Sequence, residues 1–376
     1  MNIKFNFFFI LLSIFLFISS PLFSANRFWV GTAPGSWNSV ANWSNVSGGA
    51  PGFSIPGLSD IAIFDGGSIT DCTIDINVNV LGFTINALYA GKIGINPGVT
   101  TTVASSGFSQ AGGTFTGTNG NISINGAFTL SGGIFTATTG TLQITTGYNY
   151  TAGTFNHNNG TVSFSTTQTI SGNTAFYNLI FVSNGGIYTI ASGTTISSSN
   201  NVTISGIQSY TINTGILEIN GDLTLLATAN NSINGGTATF LFKGTGVQNI
   251  RSSITTIVVG TNERVCSLPN VEINKSSGSL NLEGVINFNG AFWKTTAGAS
   301  LVNPGTSTVN IISSTTFSGE NLSLYNIHIY ANAQLISLSP ASYMLTSTND
   351  LTINGGSYYE LNTGILEIMG NLTLIN

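Results

Sequence analysis

The chain has 376 residues and a net charge of −5 from 8 basic and 13 acidic side chains, with 6% charged and 41% hydrophobic residues. That hydrophobic share argues against a disordered chain, and the lack of a basic patch argues against nucleic acid as a partner. Proline is scarce (8), glycine abundant (46), and Thr, Ile, Val, Phe and Tyr alternate with no long amphipathic helical pattern, so an all-β protein is expected.

Residues 1–25 read as a signal peptide. Lys4 supplies the positive start, residues 7–18 are apolar except for Ser13, and Ser19, Ser20 and Ser24 place small residues near a cut after Ser24 or Ala25. The apolar run is short for a membrane span of ~20 residues. No later stretch is long and apolar enough to span as a helix. The mature chain is therefore expected to be exported, extracellular or on the cell surface, without a transmembrane helix.

Residues 26–68 differ from the rest. Trp29, Trp37 and Trp43 occur with Pro34, Pro51 and Pro56, in a pattern of turns and short strands. An irregular aromatic segment ahead of regular coils suits an N-terminal cap that covers apolar interior and strand edges. The alternative is a glycan-stacking platform made by the same three tryptophans, since aromatic faces bind sugar rings.

The stretch Phe28-Trp29-Val30-Gly31, then Gly35-Ser36-Trp37-Asn38 and Ala41-Asn42-Trp43-Ser44, is similar to the opening of large bacterial surface β-helix proteins. So is the continuation Pro56-Gly57, Ser59-Asp60 and Ala62-Ile63-Phe64-Asp65. This group includes autotransporter-like proteins and the adhesin-like secreted repeat proteins of the Bacteroidetes type. The resemblance implies a parallel β-helix after the opening.

From 69 to 103 the strands alternate without a strict period, and 69–376 is expected to be one β-solenoid. Cys72 alternates with Ile74, Ile76, Val78 and Val80 and reads as a buried small hydrophobe. Cys266 is many coils away in such a fold, which argues against a bridge. Asp60, Asp65, Asp71 and Asp75 lack the fixed spacing of a calcium-binding repeat, so Asp71 and Asp75 are expected outward and solvated.

Residues 107–164 repeat every 20 residues. Phe115, Phe135 and Phe155 fall in register, as do Phe108, Phe128 and Tyr148, and Gly120, Gly140 and Gly160. The pair Ile122/Ile124 returns as Leu142/Ile144 and Val162/Phe164. Such a period, in short alternating runs between glycines, predicts a right-handed parallel β-helix with coils of about 20 residues. His157 stands where Gly117 and Ala137 stand in the other copies and reads as a corner residue.

A longer repeat follows. Asn213-Thr214-Gly215-Ile216-Leu217-Glu218-Ile219 recurs unchanged 149 residues later, from Asn362 to Ile368. The copies lie near 161–226 and 308–375, and their pattern also resembles the Bacteroidetes-type surface repeats. By this alignment His328 answers Ile180 and is expected on the surface. Glu218 and Glu367 share a repeat position, which suggests a structural or solvating role. Since the second copy stops at Asn376, the sequence is expected to be part of a longer polypeptide, or to have a partner covering that edge.

Charge is densest between 251 and 294, where Arg251, Glu263, Arg264, Glu272, Lys275, Glu283 and Lys294 lie. A pectate-lyase-like enzyme on a β-helix would need several carboxylates, usually with calcium, and a basic residue on one face. No such pattern is recognisable, nor the paired carboxylates of a glycoside hydrolase. The expectation is a non-enzymatic, adhesin-like scaffold of about 15 coils and ~70 Å. Surface glycans or neighbouring cells would be its partners, with no cofactor, metal or catalytic residue. A polysaccharide-degrading β-helix enzyme and a glycan-binding module through Trp29, Trp37 and Trp43 are the alternatives.

Overall fold

Parallel stacking places chemically like residues on one another, and that relationship organises the molecule. The computed structural model describes residues 24–182, 185–206, 210–227, 235–253, 267–330, 335–354 and 360–375. Of the described residues 57% are strand, and they form the parallel stacked coils of a β-solenoid of about 13 turns. The expected leader at 1–25 falls outside the described residues but for Ser24 and Ala25. Cys266, Glu263 and Arg264 also lie outside them. Thirteen turns at ~4.8 Å each make a rod of ~60 Å. That is fewer turns than a uniform 20-residue period implies, because some coils are longer. Leu223 pairs with Ile250, and Ile250 with Leu282.

The regular coils stack in the register read from the sequence. Ile122 pairs with Leu142 and Leu142 with Val162, while Phe135 lies between Phe115 and Phe155. Alternation sends every second side chain inward, so each rung adds a ring to an interior column. One column runs Trp29, Phe64, Phe83, Phe108, Phe128, Tyr148, with neighbouring centroids 5.2–5.7 Å apart. A second runs Phe115, Phe135, Phe155, its first pair 5.1 Å apart and within 1° of parallel. The columns meet edge to face, as at Phe128 and Phe135. Aromatic pairs of both geometries add ~0.5–1.5 kcal/mol each beyond their burial.

Corners need two things, room for close backbone approach and partners for inward-pointing carbonyls. Gly120 meets the first need: a Cβ there would sit 1.8 Å from the Val99 carbonyl oxygen of the coil below. Buried glutamines meet the second. Gln248 Nε2 donates to the Ile219 and Gly221 carbonyls at 2.9 and 2.8 Å, and Gln110 and Gln168 do the same elsewhere. Lys275 is buried at one corner, where its ammonium donates to the Gly244 and Gly246 carbonyls and to Gln248 Oε1.

The two long repeat copies are related by more than a translation along the axis. Coils of the first copy have three sides, exemplified by Asn178–Val182, Ile187–Ile190 and Thr195–Ser198. The third side continues through Ile216–Ile219, Thr239–Phe242, Asn270–Asn274, Phe292–Ala297 and Thr315–Gly319 to Leu335–Ser339 and Glu360–Asn362. Yet Leu335–Ser339 and Glu360–Asn362 are the duplicates of second-side strands, Ile187–Ile190 and Thr211–Asn213. The strand Asn326–Tyr330, duplicate of first-side Asn178–Val182, lies in a separate sheet that begins at Ser267–Leu268. Ser267–Leu268 falls in chain order between first-side Gln248–Ser252 and third-side Asn270–Asn274, which puts this sheet in the second-side position. The duplication therefore spans six coils and one further side. Equivalent residues of the two copies face different directions.

Candidate functional site

Three places merit description as sites: the tryptophan-rich end, the charged segment and the histidines. At the first, Ala25–Trp29 pairs in parallel with Asp60–Phe64, which in turn pairs with Val78–Ile85, so the parallel ladder already runs through the opening. Trp43–Ser44 folds back antiparallel on Ala25–Trp29. Trp29, Trp37 and Trp43 are 0%, 1% and 0% exposed. Trp29 and Trp43 meet edge to face, as do Trp37 and Trp43, while Trp37 lies against Phe83. A glycan-stacking platform needs an open ring face, and none of the three indoles has one. They head the aromatic column instead.

Polar groups bind this end to the first coils. The Thr70 carbonyl accepts from Trp29 Nε1 at 3.1 Å and from the Tyr89 hydroxyl at 2.8 Å. Asp75 accepts from the Ser36 hydroxyl at 2.5 Å and the Asn38 amide at 3.2 Å, and Asp71 from the Lys92 amide at 2.8 Å. Asp71 is exposed and Asp75 half-buried, so both point outward, and both also latch neighbouring segments. Sequence alternation gives the direction of such a side chain but not the partner it meets. Cys72 is buried and free, and burial pushes its thiol pKa up.

Beside the tryptophans an open groove of about 510 Å³ runs past Gly31, Ala41, Gly48, Pro51, Ser68 and Thr70. Two of the side-chain hydroxyls along it are already engaged, since Ser68 and Thr70 both donate to the Gly31 carbonyl.

The charged segment separates onto different sides. On the first side Arg251 bridges Asp222 at 2.9 Å and Glu283 at 2.8 Å, and these contacts raise its pKa. An amide ladder runs beside it, from Asp222 to Asn249, Asn281 and Asn303. On the third side Glu272 holds Lys294 and Thr296, and Glu218 holds Lys243. Lys275 is in the corner described above, where burial lowers its pKa. These charges are close in sequence, but the coil distributes them over two sides and the interior. Asp222 joins the Arg251 bridge although it lies outside the charged stretch; Arg251 and Asp222 are adjacent because coils, not residues, are neighbours.

The histidines differ from one another. His157 stacks on Tyr177 at 5.6 Å, and its Nδ1 accepts from the Asn159 amide, which stabilises a turn. His328 corrects an expectation: it is buried, not on the surface. It points outward between inward Ile327 and Ile329, in a rung order Asn287, Asn310, His328, but that outer face is covered. Its Nε2 has no hydrogen-bond partner among the described residues, its ring stacks 4.3 Å from Tyr330, and burial lowers its pKa. The expectation fails because His328 and its counterpart Ile180 lie on different sides of the rod.

Among the described residues there is no group of three or more His, Cys, Asp or Glu placed to hold a metal, and no helix long and apolar enough to cross a membrane. No family model, curated protein or solved structure matches the chain.

Proposed function

We propose that the chain is an exported, non-enzymatic β-solenoid that acts at the cell surface as an adhesin-like display scaffold. The supporting observation is how its charges are engaged. Asp222, Glu272 and Glu283 each bind a cation on a neighbouring coil, and Asp71, Asp75 and Glu320 each accept from a backbone amide. Such carboxylates are held in the role of staples between coils. General acid–base chemistry asks instead for carboxylates convergent on one bond.

Residues 93–217 contain no Asp, Glu, Lys or Arg, which suits a long, chemically inert spacer. The apolar leader and the resemblance to bacterial surface β-helix repeats support export. Surface glycans or neighbouring cells are the proposed partners, reached through geometry. Antibody labelling of intact and permeabilised cells tests the location. Labelling of intact cells is expected; signal only after permeabilisation would refute surface display.

A further inference from the structure

The coil at residues 360–375 presents an apolar face whose match is visible inside the same molecule. Leu361, Ile365, Met369, Leu372, Leu374 and Ile375 are all exposed, Leu374 by 69%. Yet Asn362–Ile368 is identical in sequence to Asn213–Ile219, and its strands Glu360–Asn362, Ile365–Ile368 and Leu372–Ile375 begin 149 residues after Thr211–Asn213, Ile216–Ile219 and Leu223–Ala227. In that internal copy Ile212, Leu223 and Leu225, the counterparts of Leu361, Leu372 and Leu374, are buried, whereas Leu226, the counterpart of Ile375, stays exposed. We infer that the 360–375 coil is a stacking surface for one more parallel coil, and that the covering coil has the pattern of residues 235–253.

The internal interface fixes the register. Leu217 carries Phe240, Ile219 carries Phe242, and Leu223 carries Ile250. Carried over by the 149-residue offset, an incoming coil sets a large apolar residue over Leu366, another two positions on over Ile368, and a β-branched one over Leu372. Two further requirements narrow its sequence. At Gly236 the backbone is left-handed and a Cβ would fall 2.1 Å from the Ile212 carbonyl oxygen, so a glycine is needed over Leu361. Gln248 donates to the Ile219 and Gly221 carbonyls, so a glutamine in its place would reach those of Ile368 and Gly370. The occupant is thus a coil of pattern Gly-x-Ala-x-Phe-x-Phe followed by Gln-x-Ile, paired strand to strand.

This surface concerns assembly and is independent of the display role proposed above. The test extends the full chain with its own residues 228–253 after Asn376, which aligns with Ala227, and compares a second extension with one residue deleted. A one-residue slip turns the apolar set outward. Hydrogen exchange is read at Ile365–Ile368 and Leu372–Ile375. The in-register extension should slow exchange there by about tenfold or more, toward the rate of Ile216–Ile219, and the slipped one should not. Equal protection by both extensions, or by neither, overturns the inference. So does concentration-dependent protection of these strands in the unextended chain, which would make a second copy the occupant.

Discussion

Trp37 lies nearly flat on Phe83, ring centroids 5.7 Å apart and planes within 19°. This stack joins the tryptophan-rich opening to the aromatic interior of the rod. It converts a residue that could have served a ligand into one that serves the fold. Trp37→Ala should therefore cost ~3–5 kcal/mol, as large buried aromatics do. Thermal unfolding followed by circular dichroism would show a clear fall in Tm. An unchanged Tm with lost binding on a glycan array would instead restore the stacking role of Trp29, Trp37 and Trp43.

Glycines differ by the kind of room they need. Gly120→Ala drives a Cβ against the Val99 carbonyl of the coil below, whereas Gly98→Ala meets open space and only the strain of φ +79°. The first should cost ~3 kcal/mol through overpacking, the second ~1 kcal/mol through left-handed backbone. Urea unfolding midpoints check the order. A reversal would mean that coils at Gly120 can move apart freely.

His328 should make stability depend on pH. Burial holds its pKa below the ordinary 6.5, so the folded chain resists a proton that the unfolded chain accepts. Its contribution is complete above pH 6.5 and is lost as pH falls below that value. His328→Asn, beside Asn310 in the same ladder, should flatten this part of the profile. Urea midpoints at about pH 7.5 and 5.5 provide the measurement. An equal drop in both proteins would show that His328 is not responsible.

Arg251 is 47% exposed between Asp222 and Glu283. Exposed pairs contribute little, so Arg251→Ala should lower stability by no more than ~1 kcal/mol, and by less at high salt. A loss of several kcal/mol in urea unfolding would mark the bridge as a principal support of the coil stack.

The coils were readable because stacking repeats a chemical type at a fixed interval: Phe115, Phe135 and Phe155 are a spatial column and a sequence period at once. The burial of Cys72 followed from alternation alone. Other features depend on what lies across from a residue. His328 and Ile180 share a repeat position, but the extra third of a turn in the duplication sets them on different sides. Asp75 reads as a solvated acid until Ser36 is brought against it. The tryptophans read as a cap with a platform as the alternative, because composition does not reveal whether a ring face is covered.

The central claim, that this rod displays and does not cut, is tested most directly with a panel of acidic polysaccharides, with and without calcium. Unsaturated products are monitored by absorbance, for the wild-type chain and for Arg251→Ala. The account predicts no cleavage by either protein. Calcium-dependent cleavage by the wild type that disappears in Arg251→Ala, with the fold intact, would contradict it.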